Sequence, residues 1–301
     1  MFSIRVVSDL IEAQSIWNEL SPKDNIYEDW DFRYIFYKYF NYPLRFYVGE
    51  EDSVIVGLLA LQYNSDEKYL EFFGGSFMED NHVFIKSGFE RYIPEFYKKI
   101  KDEARLDDII IDNELISMDF SDYKFIIDLK GLGSLDDYFK KTFSSKTRSK
   151  LRKKMRDIEL LGPVVSENDF NDLDVLIELN KQTFGKESSF FRPFRSQIYH
   201  DILEGGFDIV MFSTEISEKK EGVSFGIKYG KTFVSLNSGV NKSNFKNLGT
   251  FMLLKRIERA INLNCEIFDA SVGNLGWKEL WHLDKISQYK FYYNKASEDT
   301  D

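Results

Sequence analysis

Phe2, Ile4 and Val6 alternate with polar or charged neighbours, the period of a half-buried strand, over residues 2–7. From Leu10 the period lengthens: Leu10, Ile11, Ala13, Ile16, Trp17 and Leu20 recur at helical spacing until Ser21-Pro22 stops the helix. A second helical pattern over 30–40 is crowded with Phe32, Tyr34, Phe36, Tyr37, Tyr39 and Phe40. Such a helix either packs its rings into the core or offers them for stacking on a sugar or nucleoside. Strand patterns over 44–49, 53–62 and 68–73 follow, joined by the polar turns Glu50-Glu51-Asp52 and Asn64-Ser65-Asp66-Glu67. Phe89, Tyr92, Ile93, Phe96 and Ile100 then share one face of an expected long helix over 88–105, with Pro94 kinking it or shifting its start. Strands at 109–111 and 123–129 close this half.

Gly131-Leu132-Gly133-Ser134 has the composition of a joint, which predicts domains at 1–130 and 131–301. Helical patterns occupy 135–143, 145–161, 170–181 and 194–203, with Gly162-Pro163 as a stop between the second and third. Strand patterns at 207–215, 223–229 and 232–240 precede a helix over 250–263, a strand at 266–269 and a last strand at 286–293. Each half thus runs through helices, three antiparallel strands, a long helix and a further strand. The elements are duplicated although the residues are not. The expectation is an α/β (α+β) fold of two tandem domains, each a mixed, mostly antiparallel sheet flanked by helices.

Length and composition leave this picture intact. The chain has 301 residues and ordinary hydrophobic and charged content, enough for one large or two ordinary domains. Its net charge of −10 argues against a general binder of nucleic acid or anionic membrane, so any basic site must be local. No apolar run reaches the ~18–20 residues of a membrane span. The start, Met1-Phe2-Ser3-Ile4-Arg5, lacks the pattern of a secretory signal, and the lone Cys265 suits a reducing compartment. A cytoplasmic protein is expected. With His82, His200 and His282 the only histidines, and neither HExxH nor paired CxxC, no metal is expected.

Candidate chemistry concentrates between Gly222 and Trp281. Asn247-Leu248-Gly249-Thr250 punctuates the entry to the helix over 250–263. The uncapped N–H groups of a first helical turn and the positive end of its dipole suit a phosphate. A second feature is basic: Lys140, Lys141, Lys146, Arg148, Lys150, Arg152, Lys153, Lys154 and Arg156 occur without an intervening acid. Leu151, Met155 and Ile158 mark the buried face of that helix, and Ser144 or Ser145 can cap it. Arg148 and Arg152 stand at i, i+4, where both can address one anion. Lys146, Arg148 and Arg152 are therefore candidates for phosphate or diphosphate on a nucleotide-sugar, a lipid carrier or RNA. The alternative is a solvated helix face. Gly222-Val223-Ser224-Phe225-Gly226 fits the GxSxG nucleophile elbow, with Asp269 and His282 following in triad order. The elbow requires strand, sharp turn and helix, whereas Ser224 lies within an alternating strand that turns into another strand, so a hydrolase is rejected.

The order of several segments resembles a known group. SSKTRSKLRKKMRDIELLG, KQTF…SFFRPFRSQIYHDIL, SFGIKYGKTFVSLNSGV, NLGTFMLLKRIERAI and FDASVGNLGWKELW are similar, over roughly 135–293, to the GNAT-type domain of the FemAB/FemX-like and CelD/BioF2-like acetyltransferase group. The resemblance implies two tandem GNAT-like domains, the first a scaffold or acceptor platform and the second catalytic. It implies an acyltransferase: an N-acyltransferase moving an acyl group from acyl-CoA (acetyl-CoA) to an amine of an amino sugar or another cell-envelope or polysaccharide precursor. The Fem-like alternative takes an amino acid from aminoacyl-tRNA, which would make tRNA a partner, and a third reading keeps the fold as a non-catalytic binding protein. Phe245-Lys246-Asn247-Leu248-Gly249-Thr250 retains one glycine of the Q/R-x-x-G-x-G/A pyrophosphate loop, a departure that Fem-like members share. On this resemblance Ser238, Gly239, Asn247, Leu248, Gly249 and Thr250 bind the cofactor. Asn237 helps to form the oxyanion site, Asp269 acts as base or orients the amine, and Lys278 stabilises negative charge or holds a donor phosphate. Trp277 floors a sugar site. For Asp269 the alternative is turn capping, for Lys278 an exposed loop position, and for Trp277 packing.

Overall fold

The computed structural model describes residues 1–110, 116–273 and 276–294, with the side chain of Trp277 outside the described set. The first strand, β1 (Phe2–Val7), leads to α1 (Leu10–Leu20), whose N-terminus is capped by the Asp9 carboxylate accepting from the Glu12 N–H. Next come α2 (Trp30–Phe40), β2 (Leu44–Glu51), β3 (Val54–Asn64), β4 (Tyr69–Phe72), the short β5 (Phe84–Ile85), α3 (Ile93–Lys98), β6 (Ala104–Ile109) and β7 (Asp119–Asp128). The remainder comprises α4 (Leu135–Thr142), α5 (Ser145–Glu159), β8 (Val164–Glu167), α6 (Leu173–Phe184), α7 (Arg195–Glu204), β9 (Asp208–Ile216), β10 (Lys219–Tyr229) and β11 (Thr232–Val240). It ends with α8 (Leu248–Asn262), β12 (Ile267–Val272), α9 (Trp277–Leu280) and β13 (Asp284–Tyr293). None of the helices among the described residues is long and apolar enough to cross a membrane.

The chain divides into two compact units, one of Met1–Lys124 with Val272–Asn274 and the chain from Ile286, the other of Phe125–Ser271 with Leu275–Lys285. In the first unit the sheet order is β1-β2-β3-β4-β6-β13. All neighbours are antiparallel except β4 and β6, which meet in parallel at Leu70↔Ala104. In the second unit the order is β12-β11-β10-β9-β8, again antiparallel apart from the parallel pair β11 and β12. Both units are therefore mixed, mostly antiparallel sheets flanked by helices. The duplication inferred from element order is real.

The packing explains the apolar pattern. Trp17 and Trp30 meet edge to face at 5.9 Å, and Trp30 stacks on Phe73 at 4.9 Å, so the rings of α1 and α2 form a core beneath β2 and β3. Phe32, Phe36 and Tyr37 are buried with them, which is the core alternative for α2. In the second unit α4 and α8 bring Tyr138, Phe139, Leu254 and Ile257 against Phe233 and Phe268 of the sheet.

Two expectations change. The long helix over 88–105 is a six-residue α3, preceded by a single 3-10 turn at Glu90–Tyr92. Pro94 falls in its first turn and cannot extend a helix in front of it. Beyond Ile100 the apolar spacing changes from helical to alternating. Ala104 and Leu106 are buried around an exposed Arg105, so this stretch is β6 and ends at Ile109. Residue 111 of the strand expected at 109–111 lies outside the described residues. The short β8 follows Gly162-Pro163 directly, and its exposed Val164 and Val165 carry no clean alternation to betray it.

Asp108 sits in the first unit close to Asp107, Asp122 and Asp80. Burial, reinforced by these acids and opposed by Lys124, raises its carboxyl to about 6. The folded state therefore holds this proton more tightly than the unfolded chain. The associated stability is fully present below the unfolded value near 4 and is lost as the pH rises through about 6. Replacing Asp108 by Asn should stabilise the protein at pH 8 by about 1–2 kcal/mol, allowing for partial exposure of the group. The gain should shrink steadily toward pH 4. Urea denaturation of both chains across that range measures it, and a constant difference would refute the assignment.

Candidate active site

The second unit opens where two of its strands part. β11 and β12 pair in parallel at Thr232↔Ile267, Phe233↔Phe268 and Val234↔Asp269, and then separate. Just past this point β11 carries a bulge: Phe225 faces Asn237 while Gly226 faces Ser235, which leaves Leu236 as the extra residue. Glycine is required on the facing strand, because a Cβ on Gly226 would lie 2.8 Å from the Val234 carbonyl oxygen and 2.9 Å from the Phe233 ring. The bulge bends β11 away from its parallel neighbour.

Side chains of α6 then meet the strand. Asn180 Nδ2 donates to the Ser238 carbonyl at 2.7 Å, and Thr183 Oγ1 accepts from the Val240 N–H at 3.1 Å. Backbone groups that lose a strand partner must find another, and here a helix supplies it. Asn180 also donates to Asn237 Oδ1 at 2.7 Å, Asn237 Nδ2 donates to the Tyr199 hydroxyl at 2.9 Å, and Ser188 donates to Asn180 Oδ1 at 2.6 Å. The bulge is thus held from α6 and α7.

Between the end of α6, the far end of β11 and the start of α8 lies a cavity of about 440 Å³. Thr183 and Phe184 form one wall, Ser238 and Val240 another, and Gly249, Thr250, Met252, Leu253 and Arg256 the helical side. Lys242, Lys246 and Trp281 complete it. Among the described residues, three cations line it and no acid does. Helix α8 forms because Leu248, Phe251, Met252, Leu254, Ile257, Ala260 and Ile261 make one apolar face, with no Pro and with its single glycine, Gly249, confined to the first turn. Its N-terminus is uncapped: Asn247 provides no side-chain cap, and its Nδ2 donates instead to Asp157 Oδ2 at 3.0 Å. The first-turn N–H groups and the helix dipole remain available to an anion. A Cβ on Gly249 would meet nothing within 4 Å, so the missing side chain leaves room at this entrance.

Residues 145–279 match the family model described as Acetyltransferase (GNAT) domain. Over this segment the chain is similar to a GNAT domain. The segment runs from α5 into α9 and includes the parted strands and α8. Among curated proteins, none matches the chain by sequence. Solved structures do match in fold. FemX superposes with a TM-score of 0.63 at 10% identity, covering 98% of this chain and 99% of that one. L-PGS from Bacillus licheniformis gives 0.57 at 11% identity over 90% and 93%. A tandem GNAT protein from the clavulanic acid biosynthesis pathway gives 0.53 at 8% identity over 97% and 98%. At such identities the likeness is one of fold, and it extends over both units of this chain.

Within the matched segment, Ser238, Gly249 and Thr250 of the sequence-derived candidates line the cavity. Leu248 is buried in the core under α8, and Asn247 is occupied with Asp157. Gly239 is buried against α6, where a Cβ would come within 2.5 Å of the Asn180 nitrogen and 2.6 Å of Leu179 Cβ. Asp269 is 3% exposed at the last paired position of β12, and its Oδ1 accepts from the Ser271 N–H at 2.8 Å. Lys278 is buried rather than exposed: its Nζ donates to the Ser271 carbonyl at 2.7 Å and lies over the Phe125 ring. Trp277 begins α9, but its side chain lies outside the described residues.

The basic helix is α5, with Leu151 and Ile158 buried and Met155 partly so, as its pattern requires. Arg148 and Arg152 do not converge on one point. Arg148 Nη1 donates to the Phe143 carbonyl at 2.8 Å, whereas Arg152 pairs with Asp136 at 2.8 Å on the surface. Lys146 is exposed. Ser224 is fully buried in the middle of β10 and His282 is exposed, so the GxSxG match has no nucleophile elbow.

Sequence reasoning passed over Lys242, Lys246 and Arg256. Arg256 is 8% exposed, its guanidinium donates to Ser235 Oγ at 2.6 Å, and burial lowers its pKa to about 10. A signal existed: Arg256 occupies the i+4 position after Met252 and before Ala260, on the helix's buried side.

The contact between Gly239 and α6 gives a direct test of how the cleft is built. Replacing Gly239 by Ala should cost about 2 kcal/mol or more, because the new methyl group meets backbone that cannot rotate away. A urea midpoint equal to that of the natural chain would contradict the packing.

Proposed function

We propose that this protein is an acyl-CoA-dependent N-acyltransferase acting on the amine of an amino sugar or another cell-envelope or polysaccharide precursor, in the cytoplasm. One observation carries the reading: a cationic cavity, with no acid among its described lining residues, joins the uncapped N-terminus of α8 to the far end of β11, beyond the point where that strand leaves β12. A diphosphate fits the entrance, where first-turn N–H groups, Lys242 and Lys246 supply positive charge against a chain of net charge −10. The 5.2 Å stacking of Lys242 Nζ on the Phe184 ring holds one of these cations at the wall. An extended, amide-bearing arm fits alongside β11.

In the proposed reaction the acceptor amine attacks the thioester carbonyl, a C–N bond forms, and collapse of the tetrahedral intermediate breaks the C–S bond and releases the thiolate. The amine proton passes to Asp269 or to a water that it orients. The backbone at Leu236, displaced by the bulge, offers an N–H to the developing oxyanion. Asn237 serves by fixing that bulge, since both ends of its carboxamide are bonded to α6 and α7. Lys278 ties α9 to the end of β12 through the Ser271 carbonyl and adds positive charge there.

A Fem-like transfer from aminoacyl-tRNA is the second reading. It is favoured by the exposed Lys146, Lys150, Lys153 and Lys154 on α5, which face solvent without an acid between them.

Calorimetric titration of the full chain with acetyl-CoA should give binding that weakens at least tenfold in Gly249→Trp, whose indole would fill the open entrance. The melting temperature of that variant should stay close to that of the natural chain. Absence of acetyl-CoA binding sinks the first reading. Salt-dependent tRNA binding that falls in the double variant Lys150→Ala, Lys154→Ala would then favour the second.

A further inference from the structure

Arg256 has no evident structural reason to be where it is. A guanidinium presents five N–H donors, yet among the described residues this one has a single hydrogen bond, from Nη1 to Ser235 Oγ at 2.6 Å. Its Nε is buried without a partner. Burial alone, with no compensating acid, accounts for the fall of its pKa. Removing a cation from water costs several kcal/mol unless an anion or a full set of acceptors replaces the water. The folded chain supplies neither, and the side chain lines the cavity. A ligand is the remaining source of compensation.

The position of Arg256 separates it from the entrance. Arg256 stands seven residues along α8 from Gly249, about 10 Å of helix axis. The guanidinium is anchored at Ser235, the next residue after Val234, the last to pair with β12. It therefore lies on the side of the cleft nearer the parting strands, whereas Lys242, Lys246 and the helix N-terminus stand toward the other end. A planar fork with free N–H groups matches a carboxylate better than a neutral amide or hydroxyl.

We infer that Arg256 is a specificity-determining receptor for a carboxylate, and that one of the two reactants in this cleft carries such a group in addition to the phosphates of the donor. The inference rests on the acyltransfer reading for the identity of the reactants, while the carboxylate itself follows from the unpaired guanidinium. Two sources share this chemistry: an acyl chain that ends in a carboxylate, or an acceptor amine that bears one.

Paired titrations of the full chain distinguish them. One arm compares acetyl-CoA with succinyl-CoA; the other, without any donor, compares glucosamine with muramic acid. A preference of at least tenfold for the carboxylate-bearing member is expected in one arm, and that arm names the source. In Arg256→Met the preference should fall below threefold, with Arg256→Lys intermediate. Because the natural residue is an unpaired buried cation, Arg256→Met should melt at the same temperature or higher, and a structural arginine would instead lower it by several degrees. Preferences below threefold in both arms, or a preference that survives in Arg256→Met, overturn the inference. If neither CoA ester binds but muramic acid outcompetes glucosamine through Arg256, the acyl-CoA reading fails and the carboxylate receptor stands.

Discussion

The parting of β11 from β12 after Val234↔Asp269 is the constraint on which the second unit depends. A parallel pair that continued would satisfy its own backbone and close the space. The bulge at Leu236, permitted by the bare face of Gly226, bends the strand out of register with that outcome. Separation is tolerable only because Asn180 and Thr183 take over the exposed edge. One helix thus does for β11 what a strand would have done, and it leaves a cavity instead of a ladder. The network from Ser188 through Asn180 to Asn237 and Tyr199 makes the opening rigid rather than frayed.

Charge is distributed to the same end. The chain is acidic overall, and many of its surface cations pair with neighbouring acids, as Arg152 does with Asp136. Around the cavity this neutralisation is absent. Lys242, Lys246, Arg256 and the positive end of α8 face it without a carboxylate among the lining residues. Such a site has a cost in the empty protein, through self-repulsion and the desolvation of Arg256, and an anion offsets it. The basic helix α5 attracts more notice in the sequence, yet its two arginines are committed to the Phe143 carbonyl and to Asp136.

Duplication with unequal outcome is a further consequence of local sequence. Both units place a parallel neighbour beside the last of four antiparallel strands. In the first, the helix before the parallel strand is the six-residue α3, with Pro94 in its first turn. In the second it is the fifteen-residue α8, long enough to sum a dipole and to present both an open first turn and Arg256 two turns later. The likeness to FemX and to a tandem GNAT protein covers both units, whereas the family model covers residues 145–279 alone.

Much of this was legible in the residues. Short apolar runs between polar turns located β2, β3, β9, β10 and β11, and the spacing of Leu151, Met155 and Ile158 oriented α5 correctly, because such patterns are local. Gly249 marked the open start of α8 because only a missing side chain leaves that space. Other facts required the tertiary structure. The change from helix to strand near Arg105 turned on which side of the chain found a core, and both periods fit the same few apolar residues. Gly239 looks like a flexible residue until α6 is seen against it. Lys278 is a loop lysine by sequence and a buried one by structure, since its burial comes from residues far along the chain. Arg256 is one more charge in α8 until its surroundings show that one serine hydroxyl, and no described acid, answers it. Periodicity is a local property and survives in the sequence; partners are brought by the fold, and the charge left without one is known only when every neighbour has been placed.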